Sequence, residues 1–135
     1  MILDKQTLFS EDQAVTVTAA STNVIDLGAR STDSDLGKGD IKELEIFAQV
    51  TTDFAGGTSM SVTVQSDSTA AFSSATTVSA TAAVAAATLT AGYQFSLGTV
   101  PVNEERFIRL YYTVVGTMSA GNVLAGLVID RQTNV

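Results

Sequence analysis

Two long apolar runs near the C-terminal end of the chain constrain its fold more than any other feature. They cover residues 105–116 and 122–130 and are rich in β-branched and aromatic residues, which favour strands. The first run alternates between apolar and polar residues, whereas the second is apolar on both faces. Glycines at positions 116 and 121 bound the connection, so we predict a hairpin with a long loop. The second strand then needs a covering layer on each side.

The alternation also predicts which side chains of these runs point inward. In the second run, Leu124 and Val128 are expected to point the other way. The predicted inward residues are Ile108, Leu110, Tyr112 and Val114 from the first run, and Val123, Ala125, Leu127 and Ile129 from the second.

Composition and charge exclude several classes of protein. The chain of 135 residues suits one domain with its own core, and no run approaches the ~20 apolar residues that span a bilayer. It contains neither histidine nor cysteine, which excludes Ser-His-Asp and Cys-His catalysis and metal sites built on these residues. A net charge of −7 argues against binding nucleic acid through its phosphates. The N-terminus has no signal-peptide pattern, so synthesis in the cytoplasm is expected.

Short strands separated by polar turns are predicted along most of the chain. Ser10 and Gln13 match a capping box, which predicts one helical turn within an apolar N-terminal arm. Residues 29–40 are polar and glycine-bearing, as is typical of a long surface loop. Residues 42–52 and Ser59–Asp67 are predicted to pair as a hairpin around two adjacent glycines. Further strands are predicted at residues 14–20, 22–27, Thr76–Ala80, 83–87 and 93–100.

These elements predict an all-β fold, a jelly roll or another antiparallel β-sandwich of about eight strands. The sandwich is expected to form a single domain over residues 14–135, preceded by the arm at residues 1–13. Two interpretations of the arm remain open, since it either packs on its own domain or reaches a neighbouring subunit.

Carboxylates are the catalytic groups that remain in this composition. Glu43 and Glu45 would lie about 7 Å apart on one strand face, a separation that glycosidase carboxylate pairs use. However, the chain has no tryptophan on which a sugar could stack. The preferred interpretation is therefore a solvated face, or a cross-strand pair with Arg109, and we do not predict an enzyme.

The long polar loop contains three aspartates that suggest a calcium site. Asp33, Asp35 and Asp40 alternate with other polar residues, but Gly37 occupies the fifth position, where a calcium-binding loop needs a ligand. The pattern therefore does not match, and we predict neither a metal nor a cofactor.

Segments at both ends of the chain carry a resemblance to a known family. At the N-terminal end these are residues 1–10, which lead into Gln13-Ala-Val-Thr, and residues 21–28. At the C-terminal end they are residues 106–115 and 125–131. Together they resemble capsid cement, or decoration, proteins of short-tailed bacteriophages. The alanine-rich centre, residues 68–91, does not share the resemblance, and no catalytic motif is part of it.

The resemblance implies a jelly-roll protein on the outer surface of a phage head. Such a protein cements neighbouring major capsid subunits as a homodimer, without a nucleic-acid or membrane partner. The expected contacts with the major capsid protein lie in the arm and the long loop, at Leu3, Leu8, Phe9, Arg30, Asp33, Asp35 and Asp40. The expected self-association residues are Phe47, Leu124 and Val128. The alternatives are a carbohydrate-binding virion module, which would need exposed aromatic side chains, and a small jelly-roll glycosidase that uses Glu43 and Glu45.

Overall fold

The chain folds into two antiparallel β-sheets. The computed structural model describes residues 3–28, 44–100 and 105–129, and these contain nine strands and two single-turn 3-10 helices. The predicted all-β sandwich is confirmed. The strands are β1 (Leu8–Ala14), β2 (Ala19–Ala20), β3 (Ile25–Asp26), β4 (Glu45–Ala55), β5 (Ser59–Asp67), β6 (Thr76–Ala80), β7 (Val84–Ala85), β8 (Phe107–Val115) and β9 (Ala120–Val128). The 3-10 helices are Lys5–Thr7 and Ala86–Thr88.

The order of the strands is that of a jelly roll. A three-stranded sheet has the order β1-β9-β4, and a six-stranded sheet has the order β2-β8-β5-β6, with β3 also on β8 and β7 also on β5. Residues 89–100 extend the smaller sheet along the other edge of β4. The Phe95 amide donates to the Ala48 carbonyl over 2.9 Å, and the Ile46 amide donates to the Gly98 carbonyl over 2.9 Å. The first half of the chain thus pairs with the second half in reverse order, as in a jelly roll.

Side chains from both sheets fill the space between them. The predicted inward faces of β8 and β9 are confirmed, because seven of their eight predicted members belong to the core or pack against it. Ile129 is the exception, with an exposed fraction of 80%. This residue follows Val128, where the pairing of β9 with β4 ends, so none of the described strands pairs with it and holds its side chain over the core.

Both predicted hairpins are wrong. β4 pairs with β9 in the smaller sheet, whereas β5 pairs with β8 in the larger one, so each predicted pair crosses between the sheets. The two crossing turns pack on each other: a Cβ at Gly56 would lie 2.8 Å from Ser119 Oγ, and one at Gly57 would overlap Met118. A turn that contains glycine can connect two strands of one hairpin or two strands in different sheets, so the glycines alone do not predict a hairpin. The strands bury more apolar surface by facing each other across the core than by pairing edge to edge.

Three crossings between the sheets, β1–β2, β4–β5 and β8–β9, meet at one end of the sandwich, which we call the crossover end. There the Met118 amide donates to the Thr16 carbonyl over 2.8 Å, which joins the β8–β9 turn to the β1–β2 connection. The Ser119 amide donates to the Ala55 carbonyl over 2.7 Å, which joins it to the β4–β5 turn. The hairpin between β5 and β6 lies at the opposite end.

The N-terminal elements differ from their predictions. A strand occupies Leu8–Ala14, where a helical turn from Ser10 was expected, and residues 15–18 form a crossing instead of a strand. Ser10 points inward and shares a 2.7 Å hydrogen bond with the hydroxyl of Tyr112, so it is not available as a helix cap. The helical turn lies earlier, at Lys5–Thr7, where Asp4 accepts a hydrogen bond from the backbone.

The central predictions vary in accuracy. Ser59–Asp67 and Thr76–Ala80 are strands with the predicted bounds. The strand predicted at residues 83–87 shortens to Val84–Ala85, followed by the second 3-10 helix. The strand at residues 93–100 is an irregular extended segment with isolated bridges to β4.

Candidate functional site

The outer face of the three-stranded sheet carries a second apolar cluster, which we call the outer cluster. It comprises Leu8, Phe47 and Val128, whose exposed fractions are 7%, 1% and 2% although they lie outside the main core. Gly126 lies at its centre, because both Leu8 and Phe47 are its register partners on the neighbouring strands. A sandwich sheet usually presents polar side chains on its outer face. This sheet instead buries apolar side chains on both faces.

The N-terminal segment lies against this outer face. A Cβ at Gly126 would be 3.0 Å from Leu8 Cδ2 and 3.3 Å from Leu3 Cδ2, so the absence of a side chain makes room for both leucines. Thr7 contributes as well, since its hydroxyl donates to the Leu127 carbonyl over 3.5 Å. Leu3 remains partly exposed and therefore forms the outer boundary of the cluster.

The sequence-predicted capsid contacts lie in different environments. Leu3 is partly exposed, Leu8 belongs to the outer cluster, and Phe9 is buried in the main core with an exposed fraction of 0%. Arg30, Asp33, Asp35 and Asp40 lie outside the described residues, as does Glu43.

The predicted self-association residues share the outer face of the smaller sheet. Alternation placed Phe47 away from the main core, and the structure agrees, but it is covered within its own chain, as is Val128. Leu124 lies on the same face opposite Gln49 and is partly exposed.

The proposed pairing of Glu45 with Arg109 is wrong. Glu45 belongs to β4 opposite Val128 in the smaller sheet, whereas Arg109 belongs to β8 opposite Gln65 in the larger one. Among residues 3–28, 44–100 and 105–129 there is no group of three or more acidic side chains placed to hold a metal ion.

The outer face of the six-stranded sheet holds a group that we call the Arg109 platform. It consists of Arg109, Phe72, Tyr111 and Gln65. The guanidinium carbon of Arg109 lies 4.2 Å from the centre of the Phe72 ring and 5.6 Å from that of Tyr111. Its Nε donates to Gln65 Oε1 over 2.9 Å. Stacking and the hydrogen bond together fix the plane of the guanidinium group.

Asp67 organises the loop that supplies Phe72. Its Oδ1 accepts the Thr69 amide over 3.0 Å, and its Oδ2 accepts the Ser74 amide over 2.8 Å. These backbone hydrogen bonds, first from Thr69 and then from Ser74, lower the pKa of Asp67. Between them, Phe72 has a φ of 51°, which is uncommon for a bulky residue. The loop therefore holds an aromatic ring beneath Arg109 in a strained conformation.

A second arginine on this face is already paired. Arg106 stacks on Phe107 at 4.9 Å, and its Nε and Nη2 donate to the two carboxylate oxygens of Asp26 over 2.8 and 2.7 Å. The hydrogen bond from Arg106, followed by that from the Gly28 amide, lowers the pKa of Asp26 to about 2. Arg106 and Arg109 thus lie on the same face, but within the described part of the chain only Arg106 pairs with a carboxylate.

Sequence reasoning missed the Arg109 platform. The alternation of β8 placed Phe107, Arg109 and Tyr111 on one outward face, which is a usable indication of an arginine–aromatic surface. Nothing local indicated Phe72, because it reaches Arg109 only through the β5–β6 loop.

Comparison with known proteins identifies a family. The search of curated proteins finds no significant match. Within the described ranges, the structure has no helix that is long and apolar enough to cross a membrane. A family model described as Bbp16 matches residues 9–127, from the second residue of β1 to the penultimate residue of β9. The match covers most of the chain, which therefore belongs to the Bbp16 family.

Proposed function

We propose that this chain is a capsid cement protein that binds the outer surface of a phage head. It would bridge neighbouring major capsid subunits and act as a homodimer. The observation that carries the proposal is the three-stranded sheet, which buries Phe47 and Val128 on its outer face as well as a core on its inner face. The N-terminal segment lies on this apolar face and keeps Leu3 partly exposed, where a neighbouring protein could contact it, and this agrees with the sequence resemblance to cement proteins.

The proposed contacts combine the N-terminal segment with the long loop. Leu3 is the partly exposed member of the segment, whereas Leu8 is buried on the outer face of the sheet and Phe9 in the main core. The residues between Gly28 and Leu44, which the sequence predicts to be a long polar loop, include Arg30, Asp33, Asp35 and Asp40. Many copies with modest interfaces would stabilise a shell by mass action and multivalency.

The test uses purified phage heads that lack this chain. We expect the added protein to sediment with the heads at a saturating stoichiometry and to raise the temperature at which they break open. Leu3→Asp should lower the occupancy, because it places a charge at the proposed contact. Val17→Asp is the matched control, since Val17 is 54% exposed and lies at the crossover end.

Failure of the wild-type protein to sediment with heads at any concentration would contradict the proposal. Light scattering on the free protein tests the homodimer separately, with an expected mass of twice that of one chain. A monomer at all concentrations would remove the homodimer from the proposal. Leu124→Asp should favour the monomer, because Leu124 is the partly exposed self-association candidate.

A further inference from the structure

We propose that the Arg109 platform is a binding site for a carboxylate side chain of the protein to which this chain attaches. The inference deepens the proposed function and rests on it for the identity of the partner. Three features carry it: a fixed guanidinium group, the absence of a carboxylate partner for it among the described residues, and a strained loop that maintains the arrangement.

Arg109 is fixed before any partner binds. Its guanidinium carbon lies 4.2 Å from the centre of the Phe72 ring and 5.6 Å from that of Tyr111, and the 2.9 Å hydrogen bond to Gln65 uses the Nε donor, so these contacts hold the guanidinium plane. In the part of the chain that the structure describes, its two Nη groups have no hydrogen bond or ion pair. A fixed arginine loses little conformational entropy on binding, and its planar group matches the two oxygens of a carboxylate.

The neighbouring carboxylates are already engaged. Asp67 lies on the adjacent strand of the same face, but its two oxygens accept the Thr69 and Ser74 amides. Asp26 accepts two hydrogen bonds from Arg106 and a third from Gly28. Among residues 3–28, 44–100 and 105–129, Arg109 therefore has no carboxylate partner, although the net charge of the chain is −7.

The same arrangement indicates which partner supplies the carboxylate. In a symmetric contact between two copies, each surface meets itself. On the described strands of this face the carboxylates are Asp26 and Asp67, which are both engaged, so these strands of a second copy offer no unengaged one. A local positive group on an acidic chain instead complements an acidic side chain on a different protein.

Phe72 gives an independent reason to regard the platform as functional. Its φ of 51° costs free energy, and such strain persists where the surrounding structure enforces it, most often at ligand-binding sites. Asp67 enforces it here through the backbone bonds that close the loop on both sides of Phe72. The stacking of the Phe72 ring on the Arg109 guanidinium group offsets the free energy that this backbone conformation costs.

The first experiment measures binding to heads that lack this chain. We expect Arg109→Gln to weaken binding by roughly tenfold or more, as for a central arginine of an interface. The affinity of Arg109→Lys should lie between those of the wild type and Arg109→Gln, because lysine retains the charge but lacks the planar pair of donors. Arg106→Gln is the matched control on the same face, and we expect it to bind as the wild type does, since Arg106 is paired within the chain. Equal binding by all four proteins would overturn the proposal.

The second experiment does not require heads and distinguishes failure of this inference from failure of the proposed function. A hexaglutamate peptide is titrated into the labelled full chain while the Arg109 Nε–H resonance is followed by NMR. We expect this resonance to shift in the wild type and in Arg106→Gln, with hexaglutamine as the inactive control. Thermal unfolding of each variant checks that it is folded. The wild-type titration tests the proposal even if a variant does not fold. An unchanged resonance, or a shift with an oligonucleotide but not with the peptide, would overturn the carboxylate assignment.

Discussion

At the scale of single residues, glycines decide where parts of this chain approach each other. Gly126 lets Leu3 and Leu8 lie on the smaller sheet, as described above. Gly121 is tighter, because it has a φ of 139° and a Cβ there would overlap the ring of Phe54. Gly92 also has a positive φ, of 95°, but nothing lies within 4 Å of its Cβ position. A side chain at Gly121 would therefore meet both steric overlap and backbone strain, whereas one at Gly92 would meet backbone strain alone.

We predict that Gly121→Ala destabilises the protein by about 3 kcal/mol, because it combines overpacking with backbone strain. Gly92→Ala should cost about 1 kcal/mol, from strain alone. Chemical denaturation of both variants checks the prediction. Equal losses for the two would show that Phe54 moves aside without cost.

The limits of sequence reasoning at this scale follow from distance along the chain. The alternation of β4 correctly placed Phe47 on the outer face, but it did not predict that the distant Leu3 and Leu8 would lie against the same face. Phe72 and Arg109 are also far apart in the sequence. They meet because the β5–β6 loop brings Phe72 to β8, which the periodicity of a strand does not indicate. Periodicity predicts which face a side chain occupies, and it does not predict what covers that face.

At the scale of elements, one buried hydrogen bond joins the two sheets. Ser10 lies on β1 of the smaller sheet and Tyr112 on β8 of the larger one, and their hydroxyl groups are 2.7 Å apart. Ser10 also donates to Gln13 Oε1 over 2.7 Å, and Gln13 accepts the Thr22 amide over 2.9 Å. This network connects β1, β8 and the residues that precede β3.

We predict that Ser10→Ala costs about 2 kcal/mol, because it leaves the buried hydroxyl of Tyr112 without a partner. Tyr112→Phe should cost about 1 kcal/mol, because Ser10 retains Gln13. The double variant should lose less than the sum of the two, which denaturation of all four proteins measures. Strictly additive losses would mean that the two hydroxyl groups do not interact.

Strand positions followed from the sequence more closely than strand partners did. β5 and β6 have the predicted bounds because their alternation and flanking turns are local. The β4–β5 and β8–β9 pairings were wrong because a glycine turn can either close a hairpin or cross between sheets. That choice depends on the whole core, which no single turn encodes.

At the scale of the whole molecule, two aspartates link stability to pH. Asp26 has a pKa of about 2 in the folded state against 3.8 in the unfolded chain, and Asp67 is shifted in the same direction. The unfolded chain then binds more protons between these values, so stability falls as the pH is lowered through them. The contribution is present above about pH 4 and is lost towards pH 2.

We predict that these two aspartates change the unfolding free energy little between about pH 7 and 5. Between about pH 4 and 2 their protonation should lower it. Asp67→Asn should reduce this decline, because it removes a group whose ionised form the loop amides stabilise. Asp26 should contribute less than its pKa suggests, because its pair with Arg106 is largely exposed. Denaturant titrations across this pH range provide the measurement, and a decline of equal size in Asp67→Asn would contradict the assignment.

The position of β9 has a consequence for how the protein is made. β9 is the central strand of the smaller sheet, between β1 and β4, yet the ribosome synthesises it after every other described strand. Until it emerges, β1 and β4 have no common partner, and the apolar side chains of both remain uncovered in the nascent polypeptide. Pairing over such a separation is slow, so this half of the sandwich closes only after translation has passed β9. Chaperones that shield exposed strands during synthesis should therefore bind the N-terminal half of the chain.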